Sequence, residues 1–362
     1  MKNKISYLGC DMHKRYSLFV SMDDEGNYGP FIRKENDKTI IKEYLSTLPK
    51  GTPIAVESTG SWYWFIDELE QAGLQPMLAH PKKSKLMMGQ INKTDKLDAK
   101  GLAILLKNGT LPTIWIPPGT LRDQRELLRW RMSLSRIKIK LKNRILSIFS
   151  RYGIILDGAS DLFGKKGQQL LNEKNFELPI ETKRCVDQQL ILLSEIEEKI
   201  KELENRLKML ICENKQMQLI QTAPGIGTIL SMVIIMELGD IKRFSRAEKL
   251  AAYSGLVPRV HSSGGKTYYG RTLSDVNKYL KWAFVEAANG IVRHRKKWPN
   301  KHSVRLYERI RNKKGHAKAV VAVGRHLAEA IYGMLVHSEC YKEPNQKNVS
   351  STPRQARSNS AS

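Results

Sequence analysis

The chain has 362 residues, of which 41% are hydrophobic, and its formal net charge is +25. That length allows two or three domains, and that apolar content excludes a globally disordered chain. A cationic excess of this size goes beyond what solubility requires and points to a polyanion, foremost nucleic acid, with an anionic membrane surface the weaker alternative.

The four cysteines, Cys10, Cys185, Cys212 and Cys340, have no CxxC spacing, which excludes a zinc ribbon or a disulfide framework and fits a reducing cytoplasm. The first residues are too poor in apolar side chains for a signal peptide. No membrane span is expected, because no run of 18 or more apolar residues stands out.

In chain order, Ile5–Cys10, Tyr16–Ser21 and Pro30–Arg33 read as a meander of strands, with Asp23–Asn27 as a turn. A polar helix follows at Asp37–Leu48, a strand at Ile54–Glu57, a helix at Trp62–Ala72 and a strand at Gln75–Ala79. Helices at Pro81–Met88 and Thr94–Lys107 complete an α/β domain over residues 1–118. Asp67, Glu68 and Glu70 read as the solvated face of their helix.

Residues 119–215 carry helical periodicity in two stretches, Leu121–Arg151 and Leu178–Cys212, separated by a break at Gly153–Gly167. They predict a coiled coil or long hairpin, serving as linker and oligomerisation region, since two amphipathic helices must bury their stripes. The first is strongly basic, and Arg129, Arg136 and Lys140 are its candidate nucleic-acid contacts. Residues 216–338 form a second, mainly helical unit, and the polar stretch 339–362 is expected to be a disordered tail.

The N-terminal domain holds a set of carboxylates. Asp11 closes the apolar run from Ile5, and Glu57 closes Pro53-Ile54-Ala55-Val56. Asp95 and Asp98 fall one turn apart on one face of a helix start. Any one of them could be a turn or cap residue, and Asp95 alone could serve the helix macrodipole. Together, two strand ends and one helix face can converge four negative charges, costly unless divalent cations neutralise them. Hard oxygen ligands suit Mg²⁺, and carboxylate-held metals recur in phosphodiester cleavage. Lys93, Lys96 and Lys100 flank the helix face and could meet phosphates.

Thr222-Ala223-Pro224-Gly225-Ile226-Gly227 precedes an apolar helix and looks like the hairpin of a helix-hairpin-helix element, in which Gly225 and Gly227 free backbone N–H groups for a phosphate. The bland alternative is a plain turn. Val257–Lys266 is a hydroxyl-rich loop containing Ser262-Ser263-Gly264-Gly265, with Arg259, Lys266 and Arg271 as candidate phosphate ligands. A serine there could act as a nucleophile, although Ser/Gly clusters are common in ordinary loops. Arg293–Trp298 and Arg309–Lys314 are basic clusters suited to a nucleic-acid backbone.

These blocks resemble the DEDD transposases of bacterial insertion sequences, which have an N-terminal RuvC-like domain and a C-terminal serine-bearing transposase domain. The pilin-gene invertases are relatives. The resemblance spans about residues 4–336 and rests on Gly9–Lys14, Val56–Gly60, Lys93–Ala99, Pro224–Gly227, Ala251–Pro258 and Ser262–Lys266. Ser58 departs from the small residue expected there.

The resemblance implies an RNase H-like N-terminal fold and Mg²⁺ bound by Asp11, Glu57, Asp95 and Asp98. It also implies a serine forming a covalent link to DNA. That role is carried to Ser263, with Ser262 the competitor. It further implies donor and target DNA, a bridge RNA encoded by the element, homo-oligomers built from dimers to tetramers, and work at the bacterial nucleoid. A water-activated RuvC-type nuclease of the Holliday-junction resolvase kind is the first alternative, and a non-catalytic architectural protein the second.

Overall fold

The computed structural model describes residues 6–89, 94–211, 214–273 and 275–344. The chain divides into a unit at 1–119 and a unit at 120–362.

The first unit contains β1 (Tyr7–Met12), β2 (Tyr16–Met22), β3 (Tyr28–Glu35), α1 (Lys38–Ser46), β4 (Pro53–Glu57), α2 (Trp62–Gln71), β5 (Gln75–Ala79), α3 (Pro81–Met88), α4 (Asp95–Lys107) and β6 (Thr113–Ile114). The six strands form one mixed sheet in the order β3-β2-β1-β4-β5-β6. β1 and β2 are central and buried along nearly their whole length, whereas edge strand β3 alternates. The sequence reading missed β6, which has two residues, too few for a periodic signal.

Strand alternation divides the sheet into two faces. Leu8, Cys10, Ile54 and Val56 pack with Ile41 and Leu45 of α1 and Phe65, Ile66 and Leu69 of α2. Ala55 lies on the opposite face with Leu102 and Leu106 of α4. A Cβ built on Gly9 would stand 2.1 Å from the Ala99 carbonyl oxygen, so α4 rests directly on β1 there. Asp11 follows Gly9 by two residues and Glu57 follows Ala55 by two, so both carboxylates share the face on which α4 lies. Glu68 departs from its expected solvated role. It is buried, and Lys42 Nζ lies 3.5 Å from its Oε2, because α1 crosses that side of α2.

The second unit contains α5 (Gly119–Arg151), α6 (Lys165–Lys174), α7 (Ile180–Ile211), α8 (Lys215–Gln221), α9 (Thr228–Leu238), α10 (Ala247–Tyr253), β7 (Pro258–Ser263), β8 (Lys266–Thr272), α11 (Lys278–Arg293), α12 (His302–Lys314) and α13 (His316–His337). Helices α5 and α7 run antiparallel: Leu134 packs with Ile196 and Ile200, while Ile145 and Phe149 pack with Val186 and Leu193. The predicted long helices thus form a hairpin. Leu128, Met132 and Leu207 enter the same core as α9, α11 and α13, so the helical stretch and the C-terminal helices share one apolar interior.

Helix α9 is apolar on every side and almost wholly buried. Among the described helices, α13 is long and apolar enough by composition to cross a membrane, with a mean hydropathy of 1.4, although no such run stood out in the sequence. Its Val323, Leu327 and Ile331 are core residues against α10, α11 and α12. The segment predicted to be a disordered tail falls, from residue 345 onward, outside the described residues.

Candidate functional site

Asp11 sits near the end of β1 and is 5% exposed. Its strand register with β4 runs through Cys10↔Val56, so Glu57 lies one step further along the neighbouring parallel strand. Thr94 caps α4, its hydroxyl accepting from the Leu97 N–H, which aims the first helical turn and its Asp95 and Asp98 at the sheet. The macrodipole reading of Asp95 holds as well, because both aspartates occupy that first turn.

Two further side chains enter the cluster. β1 and β2 are joined by a tight turn in which the His13 N–H donates to the Tyr16 carbonyl at 2.9 Å. His13 Nε2 thereby reaches 3.1 Å from Asp11 Oδ2 and 3.3 Å from Asp95 Oδ2. The Tyr16 hydroxyl donates to Asp95 Oδ2 at 2.7 Å, and the Arg33 guanidinium lies 3.9 Å over the Tyr16 ring. Asn36 braces the turn: its Nδ2 donates to the His13 carbonyl at 2.6 Å and its Oδ1 accepts from buried Ser17 at 2.7 Å.

The two aspartates sit in different electrostatic states. Burial pushes the Asp11 carboxyl up to about 6; His13 opposes this, while Asp98, Asp95 and Glu57 add to it. The hydrogen bond from Tyr16, with His13 beside it, holds Asp95 below the usual carboxylate range. Glu57 Oε1 faces Lys85 Nζ of α3 at 3.8 Å.

Ligand atoms of Asp11, His13 and Asp95 all lie within 4.8 Å of one another. His13 Nε2 stands between the two carboxylates, in ion-pair range of both, where an imidazole nitrogen could serve as a further ligand for a cation. The donor set is consistent with a divalent metal. Asp98 and Glu57 stand outside this tight trio, near enough for their charges to act on Asp11. His13 and Tyr16 were not singled out in the sequence. The signal for them is the short Asp-x-His-x-x-Tyr spacing around a two-residue turn.

The other sequence candidates lie as follows. Lys96 and Lys100 project toward strand β3, their ammonium groups 5.6 Å over the Phe31 ring and 4.2 Å over the Tyr28 ring. Lys93 lies outside the described residues. Arg136 and Lys140 are exposed on α5. Arg129, expected to contact nucleic acid, instead gives its guanidinium fork to the fully buried Glu237, with Nε and Nη2 at 2.8 and 3.0 Å from the two carboxylate oxygens. Arg125 donates to the Met236 and Glu237 carbonyls at 2.8 and 3.0 Å, satisfying carbonyls left open at the end of α9. Part of the predicted cationic stripe therefore holds the second unit together.

Gly225 has φ +78°, and a Cβ there would stand 2.3 Å from the Ala287 carbonyl oxygen of α11, so its place is set by packing. Gly227, the N-cap of α9, faces open space. The expected serine loop is a hairpin of β7 and β8. Gly264 and Gly265 form its turn with φ +56° and +75°, the left-handed pair of a tight two-residue hairpin turn. Ser263 pairs with Lys266 beside that turn. Ser262 pairs with Thr267, and their hydroxyls are 3.3 Å apart. Arg259, Lys266 and Arg271 are exposed on the same hairpin.

Residues 8–154 match the DEDD transposase family of IS110 type, and residues 217–303 match the transposase family IS116/IS110/IS902. The chain is 26% identical over 341 residues to the transposase for insertion sequence element IS1111A of Coxiella burnetii, covering 93% of this chain and 92% of that protein. It is 22% identical over 346 residues to a probable family 20 transposase of Pseudomonas aeruginosa, covering 93% and 99%. With the transposase for insertion sequence element IS1328 of Yersinia enterocolitica it shares 26% identity over 287 residues, 78% of this chain and 83% of that one. The carboxylate cluster falls inside the first family match and the serine hairpin inside the second, and the chain belongs to the IS110 family of insertion-sequence DEDD transposases.

Proposed function

We propose that this transposase cuts and rejoins DNA through a serine-linked intermediate, with Mg²⁺ at the carboxylate cluster and a bridge RNA encoded by its own element as guide. The observation that carries the metal half is the convergence of Asp11, His13 and Asp95, with Asp98 and Glu57 nearby. Asp11 and Asp95 would hold the cation, with Asp98, Glu57 and His13 completing or orienting its surroundings. When bound, it supplies charge stabilisation at a scissile phosphate. Tyr16 keeps Asp95 ionised and fixes its orientation. The strand order, with Asp11 on a central strand and Glu57 on its parallel neighbour, supports an RNase H-like reading of the first unit.

Ser263 is the nucleophile in this reading. Its hydroxyl oxygen bonds to phosphorus while the bond from phosphorus to the 3′-oxygen breaks. The proton lost by the serine balances the one gained by the departing 3′-hydroxyl. A second 3′-hydroxyl later reverses the step on the phosphoserine, so joining needs no ATP. Support comes from the hairpin: Ser262 has a hydroxyl neighbour in Thr267, whereas Ser263 stands at the exposed turn opposite Lys266. The metal unit and the serine unit that act together are proposed to come from different copies of the chain. The acting species is a homo-oligomer in the cytoplasm, at the nucleoid.

The test is a denaturing gel of labelled donor and target DNA with Mg²⁺ and RNA transcribed from the flanks of the element. A protease-sensitive, slow-migrating DNA band that disappears in Ser263→Ala and in Asp11→Asn is the expected result. Disappearance in Ser262→Ala alone would transfer the role to that residue. Cleavage without any adduct would favour the water-activated nuclease.

A further inference from the structure

The β7–β8 hairpin and helices α12 and α13 border a groove of about 920 Å³ that the serine chemistry does not use. The hairpin side presents Tyr268, Tyr269 and Arg271. The helix side presents Arg309 and Lys313 from α12, one turn apart, then Lys314, and Lys318 and Arg325 from α13. Its floor includes Leu256 and Val321. No acidic side chain is among the described residues lining it. Of the cations, Arg325 alone has a carboxylate partner among the described residues, Glu329 at 2.7 Å. Such a lining attracts a polyanion.

The tyrosines define which polyanion. Tyr268 is 64% and Tyr269 71% exposed, and neither ring has an aromatic neighbour or a hydrogen bond among the described residues. Adjacent strand residues point to opposite faces, so the two rings stand on opposite sides of the hairpin and one of them faces the helices across the groove. Exposed rings beside unpaired cations are the apparatus of single-strand binding, in which bases stack on aromatics and phosphates track a basic groove. A duplex keeps its bases stacked on one another and leaves such rings unused.

We propose that this groove receives an unpaired stretch of a nucleic-acid strand, a base stacked on whichever ring of the Tyr268–Tyr269 pair faces the helices and its phosphates held by the arginines and lysines of α12 and α13. Because β8 continues to the turn at Gly264-Gly265, a strand seated there runs along the hairpin that carries Ser263. The inference rests on the transposase reading only for the class of partner. It requires neither the metal nor the serine step, so the two can fail separately.

The test uses the full chain in EDTA, where no metal-dependent cleavage occurs, with fluorescein-labelled oligothymidylate, oligouridylate and a duplex of equal length. Tyr268→Ala with Tyr269→Ala is expected to weaken single-strand binding about tenfold or more while changing duplex binding less than twofold. Tyr268→Phe with Tyr269→Phe keeps the stacking faces and is expected to bind as the parent does. Arg309→Ala with Lys313→Ala is expected to flatten the salt dependence of single-strand binding by about 1.4 in log-log slope. Tighter binding of thymidylate or of uridylate identifies DNA or RNA as the occupant.

Alanine variants that bind single strands as the parent does, or that lose duplex binding in equal proportion, overturn the proposal. So do phenylalanine variants as weak as the alanine ones. A bromo-substituted strand photocrosslinked to the unaltered chain gives an independent check. Adducts on the peptide containing Tyr268 and Tyr269 support the groove, and adducts confined elsewhere refute it.

Discussion

Gly9 of the central strand and Ala99 of helix α4 meet backbone to backbone: a Cβ at Gly9 would stand 2.1 Å from the Ala99 carbonyl oxygen and 2.8 Å from the Ala103 nitrogen. This contact sets the height of α4 above the sheet, and so the distance at which Asp95 and Asp98 approach Asp11. Gly9→Ala must lift α4, because both obstructing atoms belong to backbone. The expected outcome is an overpacking cost of about 1–3 kcal/mol and a loss of divalent-cation binding out of proportion to it. Thermal melting with and without Mg²⁺ or Mn²⁺ checks this; a variant that melts lower but keeps the full cation-induced shift would contradict it.

Asp11 carries a stability consequence of its own. Its carboxyl is raised from 3.8 to about 6, first by burial. A group raised in the folded state stabilises the fold below its unfolded value, and that contribution is lost as pH climbs through the folded value. The metal-free first unit should therefore lose stability between about pH 4 and pH 6, by up to about 3 kcal/mol. Asp11→Asn removes the ionisation, so this variant should melt higher than the parent in EDTA at pH 7.5 while being inactive in recombination. Saturating divalent cation should erase or reverse the difference. Parallel melting curves at pH 4.5 and 7.5 decide it.

Much of this architecture was legible in the sequence, for definite reasons. Asp11 and Glu57 follow apolar runs buried on both faces, and Thr94 precedes two acidic residues at helical spacing, so strand ends and a capped helix start could be read directly. The Ser262–Lys266 segment was read as a loop and its hairpin was not, because the strands on either side of Gly264-Gly265 are short, hydroxyl-rich and exposed on both faces. His13 and Tyr16 were hidden because Lys14-Arg15, which turns the chain between them, carries none of the usual turn residues. The ion pair of Arg129 was not legible because its partner Glu237 lies 108 positions away. A charge at helical spacing looks solvated until the remote element that neutralises it is known, and the same holds for Glu68 and Lys42.

Tyr16 supplies a test of the proposed metal site that spares every carboxylate. Its hydroxyl donates to Asp95 Oδ2 at 2.7 Å, and removing it leaves an oxygen of this proposed cation ligand without its orienting partner. Outer partners of metal ligands are commonly worth about 10- to 100-fold in metal affinity or activity. Tyr16→Phe should keep the ring beneath Arg33, leave the melting temperature in EDTA nearly unchanged, and raise the Mg²⁺ concentration needed for half-maximal cleavage about tenfold. A shift in overall rate with no shift in Mg²⁺ dependence would assign Tyr16 to substrate contact.

Glu237 tests whether the basic helix α5 is structural where it crosses α9. The carboxylate is fully buried, receives the Arg129 fork, and accepts from Asn277 Nδ2 at 2.9 Å. Arg125 is itself buried, with Nε 3.9 Å from the same carboxylate. Glu237→Ala therefore strands positive charge in the interior, which costs about 3–5 kcal/mol where a buried pair is broken from one side. Arg129→Ala should cost less, since Arg125 and Asn277 still engage the carboxylate, and the double variant should be less destabilised than the two single losses added together. Urea denaturation of the four proteins measures the coupling. Additive losses would mean that the pair is not a unit, and would return Arg129 to the list of side chains available to nucleic acid.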